Sequence, residues 1–423
     1  MAVKRVPGAV LAIVVVSLAV GGWLGWRHMT RFHEHVSGAH GAFPAALGSE
    51  APSAPDRLVR RTSDSYGVVD GALSIDSASD GIIARNLRTG KEYWHYGRSR
   101  TELGKIGFTA ASDTIATWWK DGVVVATDVR SGKPRWHAKV PYGDPYTTSS
   151  REFATVRVLN GLVVTESRDQ ITAFATDNGK RAWTGAIPKG CDLDSGGVFA
   201  MRNAVVARAH CAGPDDDALQ LLGFDVRRGA VRWRVTSGDD QLVRADDHTL
   251  VTSLWTGPRI GAVVDVTGDK PAIKRRPFPQ DDLALAADAG IMLCVDTSNK
   301  TPDGTLAAFG VADGQPRWTR QPAKGTRFGQ PLLADGRVYI VQQPSMSQHE
   351  MPRAGRSDLL VLDVRTGQQL HAMPLPSMPL DLGSKYIGSA AALTPWQADD
   401  GVVAIRWDGM FSGTTSDLLV VSK

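Results

Sequence analysis

The sequence predicts an all-β fold, an eight-bladed β-propeller of four-stranded blades, from three observations. One hairpin motif, a glycine turn followed four residues later by tryptophan, recurs along the chain. Most neighbouring copies lie about 40 to 50 residues apart, which is the length of one propeller blade. One strand is left over before the first repeat unit, and the last unit lacks one strand.

The hairpin motif is clear in six places. Its turn glycines are Gly90, Gly132, Gly179, Gly229, Gly314 and Gly367. The residues four positions later are Trp94, Trp136, Trp183, Trp233, Trp318 and His371. Between Trp233 and Trp318, the stretch "DVTGDKPAI" is a degenerate copy of the motif, with Ile273 at the position of the tryptophan. Seven units therefore run from Trp94 to His371.

Each unit is predicted to contain four short strands. In residues 106–141 the apolar runs "IGFTAAS", "TIATWW", "VVVATDV" and "KPRWHAKV" are separated by turn residues that include Gly122 and Gly132. Runs of β-branched and aromatic residues between glycine turns are typical of antiparallel strands. After residue 60 no segment has a sustained helical period, so the repeat region is predicted to be all-β.

The two ends of the repeat region complement each other. "DRLVRR" (56–61) is a spare strand, whereas "KYIGSAAALTP", "GVVAIRW" and "DLLVVS" supply only three strands of a final unit. We predict that the N-terminal strand completes the last blade, because this closes the ring and removes exposed strand edges. The propeller is thus assigned to residues 56–423, as eight blades.

The unit resembles the PQQ-like, quinoprotein-type propeller repeat, in which an alanine-x-aspartate strand precedes a Thr-Gly or Ser-Gly turn and a tryptophan. Asp128, Asp225 and Asp363 occupy the aspartate place, and Asn86 takes it before Trp94. The resemblance covers nearly the whole chain after residue 56. It implies that the tryptophans pack between adjacent blades and are structural, as most large aromatic side chains are.

The N-terminus predicts a membrane anchor. Residues 8–26, "GAVLAIVVVSLAVGGWLGW", carry no charge, and as a helix they span about 28 Å, close to the thickness of a bilayer core. A cleaved signal peptide is the alternative, but "AVG" (19–21) is a poor cleavage site. We expect residues 1–7 in the cytoplasm, a single-pass anchor in the plasma membrane, and the propeller on the extracytoplasmic side.

Residues 27–55 are rich in Gly, Ala, Pro and Ser and have no apolar period, so they are predicted to be a flexible linker. Four histidines lie there: His28, His33, His35 and His40. A metal site is conceivable, but a flexible segment has no scaffold to fix the ligands. The expectation is therefore a polar tether without a metal.

The three cysteines predict one disulfide. Cys191 and Cys211 flank the first two strands of one blade, and such a pair outside the cytoplasm often oxidises. Cys294 lies in the apolar strand "AGIMLCVDT" and is expected to be free and buried.

No catalytic constellation is visible. The net charge of +4 does not suggest a nucleic-acid partner, and nucleophile-elbow, zinc-protease and P-loop motifs are absent. Quinoprotein dehydrogenases of this family hold PQQ beneath an adjacent cysteine pair and calcium in an acidic cluster, and this chain has no adjacent cysteines. The resemblance therefore favours BamB-like, non-catalytic members: a protein-binding scaffold at the cell envelope, without cofactor, whose partner is an unidentified envelope or membrane protein. A PQQ-dependent oxidoreductase is the alternative.

Long loops predict the partner-binding face. In a four-stranded blade the loops between second and third strands emerge together, and four of them are long here: 210–218, 296–304, 342–357 and 408–416. The last two carry methionines and a phenylalanine, apolar side chains that a solvated loop does not need. The candidate partner-binding residues are Met346, His349, Met351, Met410 and Phe411.

Overall fold

The computed structural model describes residues 32–109, 113–141, 155–159, 161–167, 170–193, 198–212, 219–237, 242–255, 259–268, 270–276, 282–288, 290–296, 304–344, 356–376, 392–408 and 416–423. These residues form an all-β structure of antiparallel sheets, as the sequence predicts. Within these ranges no helix is long and apolar enough to cross a membrane. The predicted anchor, residues 8–26, lies outside them.

Thirty-four strands make up the described structure. In chain order they are β1 (Glu34–Ser37), β2 (Arg57–Val69), β3 (Leu73–Ala78), β4 (Gly81–Asn86), β5 (Glu92–Arg98); β6 (Leu103–Gly107), β7 (Thr114–Trp119), β8 (Val123–Asp128), β9 (Pro134–Lys139); β10 (Thr155–Leu159), β11 (Leu162–Ser167), β12 (Gln170–Ala175), β13 (Arg181–Ala186); β14 (Cys191–Leu193), β15 (Phe199–Ala200), β16 (Ala204–Cys211), β17 (Leu219–Asp225), β18 (Val231–Ser237); β19 (Leu242–Arg244), β20 (Thr249–Trp255), β21 (Arg259–Asp265), β22 (Ala272–Arg276); β23 (Asp282–Asp288), β24 (Ile291–Asp296), β25 (Leu306–Gly310), β26 (Pro316–Arg320); β27 (Thr326–Phe328), β28 (Leu332–Ala334), β29 (Arg337–Pro344), β30 (Asp358–Asp363), β31 (Gln369–Pro374); and β32 (Ala392–Asp399), β33 (Val402–Asp408), β34 (Ser416–Ser422).

Six sheets are built from consecutive strands, and we call them sheets 2 to 7: β6–β9, β10–β13, β14–β18, β19–β22, β23–β26 and β27–β31. Each has a four-stranded antiparallel path, and β15 and β28 are short extra strands on β16 and β29. The remaining strands form an eight-stranded seam sheet in the order β1-β5-β4-β3-β2-β34-β33-β32.

The seam sheet joins the two ends of the chain through β2. The first half of β2 pairs with the C-terminal strand β34, with Arg57 opposite Ser422 and Thr62 opposite Leu418. Its second half pairs with β3, where Val69 faces Leu73. The pairing predicted for the spare N-terminal strand is therefore present. We call β2–β5 the leading half of the seam sheet and β32–β34, with the start of β2, the trailing half.

The buried core lies between neighbouring sheets. One cluster joins the leading half to sheet 2 and contains Ile75, Trp94 and Val125. Six further clusters each combine residues of two consecutive sheets, ending between sheet 7 and the trailing half. An eighth, with Val68, Val402 and Val420, packs the trailing half against the leading half. The succession of packed sheets thus returns to its start.

The segment 32–55 differs from the flexible linker that its composition predicts. We call it the N-terminal strap, because it lies along the sheets at their seam. Its strand β1 pairs with β5, with His35 opposite Gly97, and so covers the outer edge of the leading half. Phe32, Val36 and Phe43 pack against the first core cluster. An extended segment held by backbone hydrogen bonds needs no apolar period, which is why composition did not reveal it.

Candidate functional site

Four of the repeated tryptophans bond to the sheet that follows their own. The indole Nε1 of Trp94 donates to the carbonyl of Val129 at 2.7 Å, and that of Trp136 donates to Thr176 at 2.8 Å. Trp183 and Trp318 make the same bond to the following sheet. In these four joints the acceptor lies three residues before the next turn glycine, so the four share one geometry.

The turn glycines are required by these joints. Gly132 has a φ of 68°, and a Cβ there would lie 2.7 Å from Cγ of Trp94. Gly179 is packed in the same way beneath Trp136. Only glycine combines this left-handed backbone with the close approach of an indole. On its own sheet, each tryptophan lies opposite a small residue at a β-bulge, such as Ala126 opposite Trp136.

Three joints depart from the tryptophan pattern. His371 donates from Nε2 to the carbonyl of Pro55 at 2.8 Å, so the strap takes the place of a neighbouring turn. At the seam, a Cβ on Gly90 would lie 2.5 Å from Nη1 of Arg60, so this arginine covers the glycine as tryptophan does elsewhere. Ile273 is 44% exposed and covers little. The role of Arg60 is not visible in the hairpin motif, because its partner Gly90 is 30 residues away in another part of the seam sheet.

The cysteines are arranged as the sequence suggests. Cys191 and Cys211 form a disulfide and lie opposite each other on β14 and β16. Among the described residues Cys294 forms no disulfide, as expected, and it is buried between sheets 5 and 6.

A buried polar network fixes the first part of the strap. The Glu34 carboxylate, whose side chain is 1% exposed, accepts hydrogen bonds from the Tyr96 hydroxyl at 2.7 Å and from Nε2 of His137. Phe32 stacks on the His137 ring at 4.3 Å, and its carbonyl accepts a bond from Nε of Arg98. Burial, followed by the negative charge of Glu34, raises the pKa of Tyr96 well above its usual range. The tyrosine is therefore a neutral donor.

The rest of the strap crosses the seam through its backbone. The Leu47 amide donates to Gly71 in the leading half at 3.1 Å, and the Gly48 amide donates to Asp400 in the trailing half at 2.9 Å. The Ala51 amide then donates to the Asp335 carboxylate of sheet 7 at 2.9 Å. The strap thus ties three neighbouring groups of strands together across the point where the two chain ends meet.

Beside the network, the strap contributes to a cluster that could hold a metal. His35 on β1 and His95 on β5 both contact the carboxylate of Asp80, which lies in the turn between β3 and β4. The His95 Nε2 to Asp80 Oδ1 distance is 2.9 Å. Burial alone would raise the pKa of Asp80, but the hydrogen bonds and charges of the two histidines outweigh it and lower that pKa. The other described histidines of the strap, His33 and His40, lie outside this cluster.

The predicted partner-binding residues lie outside the described part of the chain: Met346, His349, Met351, Met410 and Phe411. The strands that bound their two loops, β29 and β30 and then β33 and β34, are in place. Elsewhere, an open polar depression of about 710 Å³ lies among turns of sheets 5 and 6 near Leu333 of sheet 7, lined in part by Arg244, Asp246 and His248.

Four-stranded antiparallel sheets packed in succession, with an indole on the glycine turn of the next sheet, define a β-propeller. Residues 56–233 match the PQQ_2 family, described as outer membrane protein assembly factor BamB. This match confirms the resemblance seen in the hairpin motif.

The chain is similar to the outer membrane protein assembly factor BamB of Burkholderia pseudomallei (strain K96243). The two are 25% identical over 301 residues, which cover 66% of this chain and 71% of the relative. Among solved structures, BamB from Moraxella catarrhalis superposes with a TM-score of 0.51 at 14% identity, over 87% of this chain and 99% of that one. The computationally designed Ika8 protein gives 0.52 at 14% identity, over 91% and 100%. At these identities the solved structures establish the fold alone.

Proposed function

We propose that the protein is a membrane-anchored, extracytoplasmic propeller of eight blades that acts as a non-enzymatic protein-interaction scaffold at the cell envelope. The observation that carries the proposal is the similarity to BamB of Burkholderia pseudomallei, an assembly factor, over 71% of that relative's length. The class of function is thus protein assembly or recognition, with an envelope or membrane protein as the partner.

Eight blades follow if the two halves of the seam sheet count as separate blades beside sheets 2 to 7. The support is that the eight buried clusters lie at eight successive junctions, the last of which returns to the first sheet. In this arrangement β2 is the outer strand of the last blade and the inner strand of the first. Such a closed ring leaves the outer strands of the blades as the remaining edges.

Rigidity suits such a ring to a scaffold. Because the indoles pack on the next blade, the loops at the ring faces keep their relative positions. A partner therefore binds a preformed surface. The four long loops between second and third strands emerge on one face in this arrangement, and we assign partner binding to it. The loops of β29–β30 and β33–β34 are the principal candidates.

The strap places the ring close to the membrane in this proposal. Residues 27–31 alone separate the anchor from Phe32, and five residues reach at most about 18 Å. The ring would then stand at the bilayer surface instead of on a long tether. The Cys191–Cys211 disulfide is in keeping with an oxidising, extracytoplasmic location.

The test is cross-linking capture from native membranes with the full-length chain. Parent protein should sediment with membranes, stay there in carbonate, and capture a defined partner set. Replacing residues 345–355 with a short Gly-Ser turn leaves β29 and β30 intact, so melting should change little while partner capture falls at least several-fold. Arg228→Ala, in an exposed turn between β17 and β18 on the other face, is the control.

Unchanged capture by the loop variant would assign binding to another surface. Release of the parent by carbonate, or a mature N-terminus near residue 22, would overturn the anchor. Oxidoreductase activity of purified protein after addition of PQQ and calcium would overturn the non-enzymatic assignment.

A further inference from the structure

We propose that His35, Asp80 and His95 form a binding site for a transition-metal ion of the Zn²⁺ class, which fastens the N-terminal strap to the seam sheet. One ligand atom from each side chain lies within 4.8 Å of the others. The three residues come from three different elements: β1 in the strap, the turn between β3 and β4, and β5. An ion held there links the strap to two places on the leading half.

Strand register brings the two imidazoles together. His35 lies opposite Gly97 on β5, and His95 is two residues earlier on that strand, so the two side chains share one face as diagonal neighbours. Their ring centroids are 5.3 Å apart. On the other side of β5, Gly97 pairs with Gly81, the residue after Asp80. The Arg98 amide donates to the Asp80 carbonyl at 2.9 Å, which holds that turn against the strand.

Gly97 keeps the centre of the cluster open. A Cβ at this position would collide with Nε2 of His35 and would lie 2.9 Å from Oδ2 of Asp80. The backbone of Gly97 is not left-handed, so its conformation does not require glycine. The missing side chain is instead what allows the three ligand atoms to converge.

The donor set selects the kind of ion. Two imidazole nitrogens and one carboxylate oxygen suit Zn²⁺ and its neighbours, whereas Mg²⁺ and Ca²⁺ prefer oxygen ligands. Three protein ligands leave a fourth position for water. The His35 side chain is 44% exposed and that of Asp80 is 34% exposed, so an ion reaches the site from solvent.

The consequence is a strap whose attachment depends on metal. Of the three ligands, His35 lies in the strap and the other two lie in the leading half, so the site is complete only when the strap is docked. An ion that binds only the docked state therefore stabilises docking by mass action.

The test uses the full-length chain without a polyhistidine tag, purified in mild detergent and treated with EDTA. Calorimetric titration with Zn²⁺ should give one ion per chain at this site, and Mg²⁺ and Ca²⁺ should give none. Zn²⁺ should slow amide hydrogen exchange of β1 at least several-fold. His35→Ala and His95→Ala should each lose both effects.

Two glycine variants separate the site from general surface binding. Gly97→Ala keeps all three ligands but displaces His35, so we expect it to lose Zn²⁺ binding. Gly38→Ala, in the same strap and with open space around its Cβ position, should bind as the parent does. The proposal is wrong if the parent binds no Zn²⁺, or if His35→Ala and Gly97→Ala bind it with the parent's affinity and stoichiometry.

Discussion

At the scale of single residues, the joint between sheets is the unit that the chain repeats. A large indole, a glycine turn on the next sheet and a small residue opposite the indole are each ordinary alone. Together they fix the distance between neighbouring sheets, because the ring, the bare Cα and the small side chain leave no other space to fill. Where tryptophan is absent, Arg60 covers the turn glycine Gly90, and His371 bonds to the carbonyl of Pro55 in the strap.

Trp136→Ala should lower the free energy of unfolding by about 3 to 5 kcal/mol, because the indole is 7% exposed and its removal leaves a cavity between sheets. Chemical denaturation followed by intrinsic fluorescence measures the loss. Trp396→Ala is a matched control, since that indole is 50% exposed. We expect the control to cost less than about 1 kcal/mol. Similar small losses for both variants would contradict the role of Trp136 as a joint.

The joints could be predicted from sequence because each is marked by a local pattern. Gly132 and Trp136 are four residues apart, so one hairpin displays both. The proposed metal site could not be predicted from sequence, because His35, Asp80 and His95 meet only after β1 pairs with β5. The histidines of the strap were visible, but the scaffold that orients His35 comes from a distant segment. Arg60 was hidden for the same reason.

At the scale of elements, the strap is the least predictable part and the part with most consequence for the seam. β2 already joins the two chain ends by strand pairing. The strap adds a second connection, which runs from the neighbourhood of His137 in sheet 2 to Tyr339 in sheet 7. Its Gly- and Pro-rich composition is that of a segment which follows a surface through backbone hydrogen bonds.

Removing the buried carboxylate of the strap should detach β1. In Glu34→Ala, the Tyr96 hydroxyl and Nε2 of His137 lose a buried acceptor, which costs about 1 to 3 kcal/mol. Limited proteolysis should then cut the strap faster than in the parent, while the ring stays folded by circular dichroism. Glu50→Ala removes an exposed carboxylate from the same strap and should leave the cleavage rate unchanged. Equal rates for all three proteins would show that the network does not hold the strap.

At the scale of the whole molecule, acidic turns of three neighbouring groups of strands converge beneath the strap. Asp335 belongs to sheet 7, Asp399 and Asp400 to the trailing half, and Asp70 to the leading half. Burial raises the pKa of Asp399 to about 6, and the charges of Asp400, Asp335 and Asp70 act in the same direction. Closing the ring therefore brings like charges together, which no single repeat reveals.

This convergence gives the protein a stability that depends on pH. The folded-state pKa of Asp399, about 6, lies above the ordinary value of 3.8, so the folded state binds the proton more tightly. The stabilising contribution is full below the ordinary pKa and is lost as pH rises through the folded-state pKa. A shift of this size corresponds to at most about 3 kcal/mol, and partial exposure reduces it to about 1 to 2 kcal/mol.

Asp399→Asn should therefore unfold at a higher temperature than the parent at pH 7.5, and the two should converge near pH 4. The asparagine carbonyl still accepts the bond from Nε2 of Gln397, so the change removes charge more than contact. Asp363→Asn is a control for which the opposite change is expected. A hydrogen bond from Thr366 lowers the pKa of Asp363, so this carboxylate stabilises the folded state at neutral pH and loses that effect in acid. That variant should be less stable than the parent at pH 7.5. The measurement is the unfolding temperature of all three proteins between pH 4 and 8. If this temperature depends on pH in the same way for the parent and for Asp399→Asn, the charge convergence at the seam is contradicted.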